Sequence, residues 1–355
     1  MRALSRMVRF SDIINLKDGP EEEKKSPEEG GDEEKLWLSD TQILRVKEED
    51  VLKEKPATSH VRFEVVTYYE KFLERAMDVR ERVMGELGIS PSPILSDLHY
   101  VIEKDFTDEL YEYAMSAQED YDEILIHTID VTFTAMRIGK GMDYDTKKLL
   151  QLGLAAFLEN VGMYRIPDGI LKKTGKLETL ELAVIRKHPG DSADILSQMG
   201  NRYRWLVETA LQVHERADGS GYPNGLKGEE ISELAAIVGL ADTYAAMIKS
   251  RPYRKKFIQT DAVKHIIKEA KGLFPPRILK VFLNQISLFP VNTLVRINNK
   301  SIGRVLSTDK NQPLRPIIEL LFDAKGNKMR KGEFIGLSEN PLLYIVESIA
   351  ENEVP

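Results

Sequence analysis

The chain carries the run His214-Glu215-Arg216-Ala217-Asp218-Gly219-Ser220-Gly221-Tyr222-Pro223, which sets an imidazole just before a glycine-rich turn. Glycine tolerates positive φ and proline fixes its own φ, so the run predicts a tight bend of the backbone. Asp242 follows His214 after 28 residues, and Arg251 and Arg254 come shortly after it. The pattern therefore predicts one pocket that brings together an imidazole, a carboxylate and two guanidinium groups.

Helical periodicity dominates the chain around this run, from about residue 119 to 285, and the loops there are short. Upstream, apolar residues recur at three- and four-residue steps over 64–87, which predicts an amphipathic helix that Gly88 ends. The other predicted helices span 95–102, 110–117, 147–158, 180–199, 204–213 and 261–270. The sequence therefore predicts a mainly α-helical fold.

The two ends of the chain differ from this helical part. Residues 17–35 are mostly charged and offer no apolar side chain for burial, which predicts a disordered linker. The apolar piece before it, 7–14, is open to two interpretations, a docking segment or a frayed terminus. Short runs of strand character after Pro290, at 293–297, 303–306 and 317–322, are joined by turn residues and predict a small β-meander.

These patterns divide the chain into four predicted regions. They are a disordered acidic segment at 1–60, a helical N-terminal region at 61–118, a helical domain at 119–285 and a small β-rich region at 286–355.

Composition limits the chemistry of any site. The chain of 355 residues has no cysteine, so a metal must be held by His and carboxylate groups, a set that suits iron or manganese. The net charge of −7 argues against binding to a nucleic acid polymer, whose backbone requires clustered Lys and Arg. No apolar run approaches the length of a membrane span and no secretory signal is evident, so we predict a cytoplasmic protein.

The order and spacing of the 214–223 run, of Asp242 and of Arg251-Pro252-Tyr253-Arg254 resemble the HD-GYP family, bacterial metal-dependent phosphodiesterases that act on cyclic di-GMP. The resemblance covers about residues 119 to 285 and is most specific through the motif Gly221, Tyr222 and Pro223. It implies an HD-domain helical bundle for the middle of the chain. It also implies that the β-rich end is a variable tail that follows the catalytic domain.

The resemblance implies a metal site and a phosphate-binding site. Glu123 and His127 are four residues apart, so a helix would present both on one face. The implied metal ligands are Glu123, His127, Glu159, His188, His214 and Asp242. Arg251 and Arg254 match the basic residues that bind substrate phosphate in the family, and a guanidinium group can donate to two oxygens at once.

Several positions depart from the family pattern. Glu159-Asn160 stands where the family has a His-Asp pair, Met163 stands where it has a Lys, and Val213 replaces a His. In the family the Asp bridges two metal ions, and Asn160 lacks the charge for that role. Met163 cannot neutralise phosphate, and its other interpretation is as a residue packed beneath a helix. No catalytic residue is assigned on this basis.

Two functions follow from the resemblance. The substitutions favour a degenerate relative in cyclic di-GMP signalling that binds a cyclic dinucleotide or a protein partner such as a diguanylate cyclase. The alternative is an active metal-dependent phosphodiesterase that opens cyclic di-GMP to the linear dinucleotide or to GMP. With donors missing, we predict no more than one iron or manganese ion per chain, and a homodimer remains open.

Overall fold

The computed structural model describes ten segments of the chain and separates them into two compact units. The described residues are 45–46, 63–116, 121–173, 175–248, 259–270, 272–286, 289, 292–309, 312–330 and 333–349. The first unit contains the described residues between 63 and 285, and the second contains 45–46 and those from 286 onward. The predicted segments at 7–14 and 17–35, and both Arg251 and Arg254, lie outside the described residues.

The first unit is helical, in agreement with the predicted fold class. Its helices are α1 (Phe63–Met84), α2 (Ser92–Glu103), α3 (Thr107–Ser116), α4 (Glu123–Gly141), α5 (Thr146–Leu158), α6 (Asp168–Leu171), α7 (Thr179–Ile185), α8 (His188–Ser197), α9 (Arg204–Gln212), α10 (Glu233–Ile248), α11 (Gln259–Glu269) and α12 (Pro276–Gln285). None of the described helices combines the length and the apolar content that crossing a bilayer requires.

Helix α4 lies at the centre of this unit, because its residues are buried on every face from His127 to Gly139. The preceding Asp122 caps the helix by accepting a hydrogen bond from the Ile124 amide. Helices α3, α5 and α10 pack against it. A helix that is buried all round is held by its neighbours, so the side chains at its amino end are fixed in place.

The end of α1 differs from the prediction that Gly88 ends it. The helix stops at Met84, and Glu86 takes the left-handed conformation with φ of 55°. The Leu87 amide donates to the Arg82 carbonyl and the Glu86 amide donates to Val83, which is the Schellman arrangement. Hydrogen bonding of the last carbonyls therefore ends the helix before the glycine is reached.

The predicted single helix at 180–199 is wrong, because two helices occupy this stretch. Helix α7 ends at Ile185 and α8 begins at His188, immediately before Pro189. Proline has no amide hydrogen and cannot continue the hydrogen bonding of α7, whereas the first turn of a new helix accepts it. The break sets His188 at the start of α8.

The second unit contains an antiparallel sheet with strands β1 (Arg45–Val46), β2 (Leu294–Ile297), β3 (Ile302–Asp309), β4 (Gln312–Phe322), β5 (Phe334–Gly336) and β6 (Ile345–Ser348). The strand order is β1-β5-β4-β3-β2-β6. The predicted meander is present as β2 to β5, and β6 returns to pair with β2 at one edge while β1 pairs with β5 at the other. Val295, Val305, Ile318 and Ile335 are among the buried residues of its core.

Candidate metal centre

His127 and Asp242 face each other across two packed helices. His127 lies in the second turn of α4 and Asp242 lies in the middle of α10, and both are buried. The His127 Nε2 atom is 2.8 Å from Asp242 Oδ1. The contact joins the two helices that form the centre of the bundle.

His188 and His214 form a second pair. The His188 Nδ1 atom is 2.8 Å from the Ile185 carbonyl oxygen, which can only accept, so Nδ1 carries the hydrogen in the neutral ring. The lone pair is then on His188 Nε2, which lies 2.8 Å from His214 Nε2. The helix break before α8 places this carbonyl within reach of the ring, and the hydrogen bond orients the ring in the way that metal-binding imidazoles are commonly oriented.

Glu159 and Asn160 lie just after α5, where a 3₁₀ turn over Val161–Arg165 follows. Gly162 permits the turn to contact α8, because a Cβ atom at this position would lie 2.2 Å from the His188 carbonyl oxygen. The Gly162 amide also donates to Ser192 Oγ at 2.8 Å. This close approach holds Glu159 beside His188, and the Asn160 side-chain amide donates a hydrogen bond to Glu159 Oε1.

A second glycine brings α10 against the end of α9. A Cβ atom on Gly239 would lie 2.3 Å from the Val213 carbonyl oxygen. Asp242 follows Gly239 by about one turn, and its Oδ2 atom is 3.8 Å from His214 Nδ1. The two small residues, Gly162 and Gly239, thus position the segments that carry the donors.

Five side chains, which we call the donor cluster, come together as two groups of three potential ligands. One group is Glu159, His188 and His214, and the other is His127, Glu159 and Asp242. Within each group the donor atoms lie within 4.8 Å of one another, which is close to the spread that ligands around one ion can have. Glu159 belongs to both groups.

Unpaired polar atoms test whether the site fits a metal ion. Within the described part of the chain, four buried atoms here have no hydrogen-bond partner: Glu159 Oε2, Asn160 Oδ1, His214 Nδ1 and Asp242 Oδ2. A buried polar atom without a partner costs roughly 1–3 kcal/mol, so such atoms are rare in native proteins. All four can donate a lone pair to a cation, and the chemistry of the donors therefore fits a bound divalent metal.

The protonation states of His188, His214 and Asp242 favour the same interpretation. Burial lowers the pKa of His188 to about 4, and burial together with the nearby His188 lowers the pKa of His214. Both rings are therefore neutral near pH 7, as metal ligands must be. Burial resists ionisation of Asp242, yet the His127 hydrogen bond and nearby positive charge hold its pKa below the usual range. Burial and the Asp242 charge raise the pKa of Glu159.

The Gly221-Tyr222-Pro223 loop supports His214 from one side. The Tyr222 ring stacks on the His214 ring with centroids 5.0 Å apart and planes 3° apart. The backbone passes closely beneath, because a Cβ atom on Gly221 would lie 2.4 Å from the Arg216 amide nitrogen. Positive φ occurs at Gly219, at 82°, whereas Gly221 is required for close approach.

Glu215 fixes the far side of the loop. It is buried, and its carboxylate accepts hydrogen bonds from the Asn224 amide at 2.7 Å and the Leu226 amide at 3.0 Å. This role of Glu215 was not predicted from the sequence, although an acidic residue directly after a candidate ligand is a signal for one. Gly162 and Gly239 were also missed, since nothing in the sequence tells which glycines face another segment.

Three other residues named from the sequence stand outside the donor cluster. Glu123 is the first residue of α4, one turn before His127, and belongs to neither group of donors. Met163 is buried in an apolar cluster with Ile166 and Ile185, in agreement with packing beneath a helix. Val213 is also buried, at the end of α9.

Comparison with known families divides the chain in a similar way. Residues 109–278 match the HD domain, and residues 294–355 match a KOW domain associated with the HD domain. The donor cluster lies within the first match.

Curated relatives agree with this match. A cyclic di-GMP phosphodiesterase of Pseudomonas aeruginosa is 32% identical over 200 residues, and one of Borreliella burgdorferi is 33% identical over 197 residues. Each alignment covers 56% of this chain, and the shares of the two relatives are 48% and 52%, so the chain spans about half the length of each. A solved structure described as an HDG"Y"P protein from Bdellovibrio bacteriovorus aligns over 64% of this chain and 72% of its own, with 19% identity and a TM-score of 0.47. Residues 109–278 therefore form an HD domain, and the curated relatives named cyclic di-GMP phosphodiesterases support the resemblance of this region to the HD-GYP family.

Proposed function

We propose that the chain is a metal-dependent phosphodiesterase that hydrolyses cyclic di-GMP. The observation that carries the proposal is the donor cluster, in which three imidazoles and two carboxylates converge in a buried site. The names of the curated relatives supply the substrate. On the sequence alone the substitutions favoured a binding protein, and the convergence of the remaining donors now favours the enzyme.

The free energy that it costs to bury the donor cluster supports a metal-dependent role. Burying ionisable groups without full pairing destabilises a fold, and apolar residues of similar volume would pack at lower cost. Four unpaired atoms in one small region are therefore expected only where a ligand satisfies them. A site that had lost its metal would have no physical reason to keep all five donors buried together.

Each residue has a distinct task in this proposal. His188 would offer Nε2, since its Nδ1 is committed to the Ile185 carbonyl. Tyr222 holds the plane of the His214 ring by stacking against it. A bound divalent metal would polarise a phosphodiester oxygen and lower the pKa of the attacking water. Arg251 and Arg254 remain the proposed phosphate-binding residues, because guanidinium groups bind phosphate oxygens in pairs.

Binding without hydrolysis is the second candidate function. Asn160 and Met163 favour it, since one brings no negative charge to the donors and the other is buried in an apolar cluster and has no charge to neutralise phosphate. In that case the same loop and helices would serve as a receptor for a cyclic dinucleotide, or as a surface for a protein partner such as a diguanylate cyclase.

Hydrolysis of cyclic di-GMP by the full chain distinguishes the two functions. We expect protein loaded with Mn(II) or Fe(II) to form the linear dinucleotide or GMP, and chelation to stop the reaction. His188→Ala should lower the rate at least about 100-fold, since it removes a ligand of the activating metal. His99→Ala is the matched control, because His99 is an exposed histidine on α2. Binding of cyclic di-GMP without any product would overturn the proposal in favour of the receptor.

A further inference from the structure

Glu159 has a position in the donor cluster that no other residue shares. It is the one member common to the two groups of donors among the residues that the structure describes. Its side chain is 2% exposed, so solvent does not compete for its oxygens. A carboxylate has two oxygens and can bind two cations at once, whereas an imidazole with one ring nitrogen already committed can bind only one.

The two oxygens of Glu159 are not equivalent. Oε1 accepts a hydrogen bond from the side-chain amide of Asn160, and Oε2 has no hydrogen-bond partner among the described residues. Asn160 therefore orients the carboxylate with one oxygen held and the other available. The oxygen of the Asn160 side chain is itself buried and has no hydrogen-bond partner among the described residues.

The charges of the other donors indicate what Glu159 adds to each of the two donor groups. The pair His188 and His214 brings no negative charge, because an imidazole ring is either neutral or positively charged. The pair His127 and Asp242 brings one carboxylate of its own. Glu159 is the carboxylate that completes the His188 side, and the same residue is the third donor on the Asp242 side.

We propose that Glu159 bridges two metal positions, one on His188 and His214 and the other on His127 and Asp242, with Asn160 as the residue that positions it. The negative charge that the family pattern places at 160 is thus supplied from 159. The inference rests on the proposed metal-dependent function, and it replaces the expectation of no more than one ion per chain.

Metal stoichiometry and magnetic coupling test this inference without any measurement of turnover. We expect the full chain loaded with Mn(II) to hold about two ions, with an electron paramagnetic resonance spectrum of a coupled pair, since a shared carboxylate joins the ions. Glu159→Gln should abolish the coupled signal and lower the content to about one ion or less. Glu208→Gln is the control, because Glu208 is an exposed residue of α9 outside both donor groups, and it should keep two coupled ions.

A second variant, Asn160→Ala, keeps the inference testable if Glu159→Gln does not fold. Asn160→Ala leaves the carboxylate in place and removes only the amide that orients it, so we expect two ions with a changed coupling and a second ion bound at least about tenfold more weakly. Circular dichroism and thermal unfolding should match the parent for a valid comparison. Asn160→Ala with unchanged affinity and coupling would contradict the positioning role.

The outcomes separate this inference from the proposed function. A parent that binds one uncoupled ion yet hydrolyses cyclic di-GMP overturns the bridge and leaves the enzyme standing. A parent with two coupled ions and no hydrolysis supports the bridge and overturns the enzyme. Retention of two coupled ions by a folded Glu159→Gln variant, or binding of no ion by the parent, would overturn the bridge.

Discussion

At the level of single residues, the side chains that orient the metal donors are as important for the site as the donors themselves. His214 has a neutral ring whose plane is set by Tyr222, and its Nδ1 atom has no hydrogen-bond partner among the described residues. The sequence identified His214 and Asp242 because they follow a recognisable spacing. It did not reveal that Glu159 lies in both donor groups, because that depends on a 3₁₀ turn and on Gly162.

Tyr222 allows the ring and the hydroxyl to be tested separately. The ring stacks on His214, whereas the buried hydroxyl has no hydrogen-bond partner within the described segments. Tyr222→Phe should therefore leave metal affinity unchanged, and Tyr222→Ala should weaken it about tenfold, because aromatic stacking contributes about 0.5–1.5 kcal/mol. Titration of the metal-free variants with Mn(II) measures both, and equal losses would contradict the stacking role.

At the scale of elements, close helix contacts set the geometry of the site. The amphipathic periodicity of α1 predicted its buried stripe correctly, since Val65, Tyr69, Phe72 and the other residues of that pattern are all buried. The ends of elements were less predictable. The break between α7 and α8 is explained by Pro189, which has no amide hydrogen, and the apolar periodicity of 180–199 did not reveal it.

Gly239 provides a direct test of these contacts. Gly239→Ala would place a Cβ atom 2.3 Å from the Val213 carbonyl oxygen, so α10 must shift away from His214. We expect a loss of about 1–3 kcal/mol in the free energy of unfolding, together with weaker metal binding. Gly190→Ala is the matched control in α8, where an added Cβ would meet no described atom within 4 Å. If Gly190→Ala lowers the melting temperature as much as Gly239→Ala does, the close contact of Gly239 with Val213 does not explain the loss.

A substitution of Glu215 tests whether its carboxylate holds the Gly221-Tyr222-Pro223 loop in place. Its carboxylate accepts from two backbone amides, and glutamine can accept through one oxygen only. Glu215→Gln should therefore destabilise the protein by about 1–3 kcal/mol and expose the 214–226 segment to proteolysis. Glu229→Gln changes an exposed residue nearby and should have no effect. Equal cleavage rates in the two variants would count against the role of Glu215.

At the scale of the whole molecule, the donors all belong to the helical unit. They lie between His127 and Asp242, and neither of the two donor groups includes a residue of the β-rich unit. The change of pattern after residue 290 predicted the sheet. The order of its strands could not be predicted, because the pairing of β6 with β2 is set by contacts far apart in sequence.

Because both donor groups lie in the helical unit, a chain truncated after Gln285 should keep the metal content of the full chain, as elemental analysis of the two proteins would measure. Loss of the metal from a folded truncated protein would contradict this assignment.

X-ray absorption spectroscopy of the metal-loaded full chain would detect directly whether three imidazoles and two carboxylates hold metal in this site. We expect nitrogen and oxygen ligands at about 2.0–2.2 Å with the multiple scattering that imidazole rings produce. That scattering should decline in His188→Ala and in His214→Ala, and it should persist in His99→Ala. A spectrum of oxygen ligands alone, unchanged in all three variants, would show that the histidines do not bind the metal.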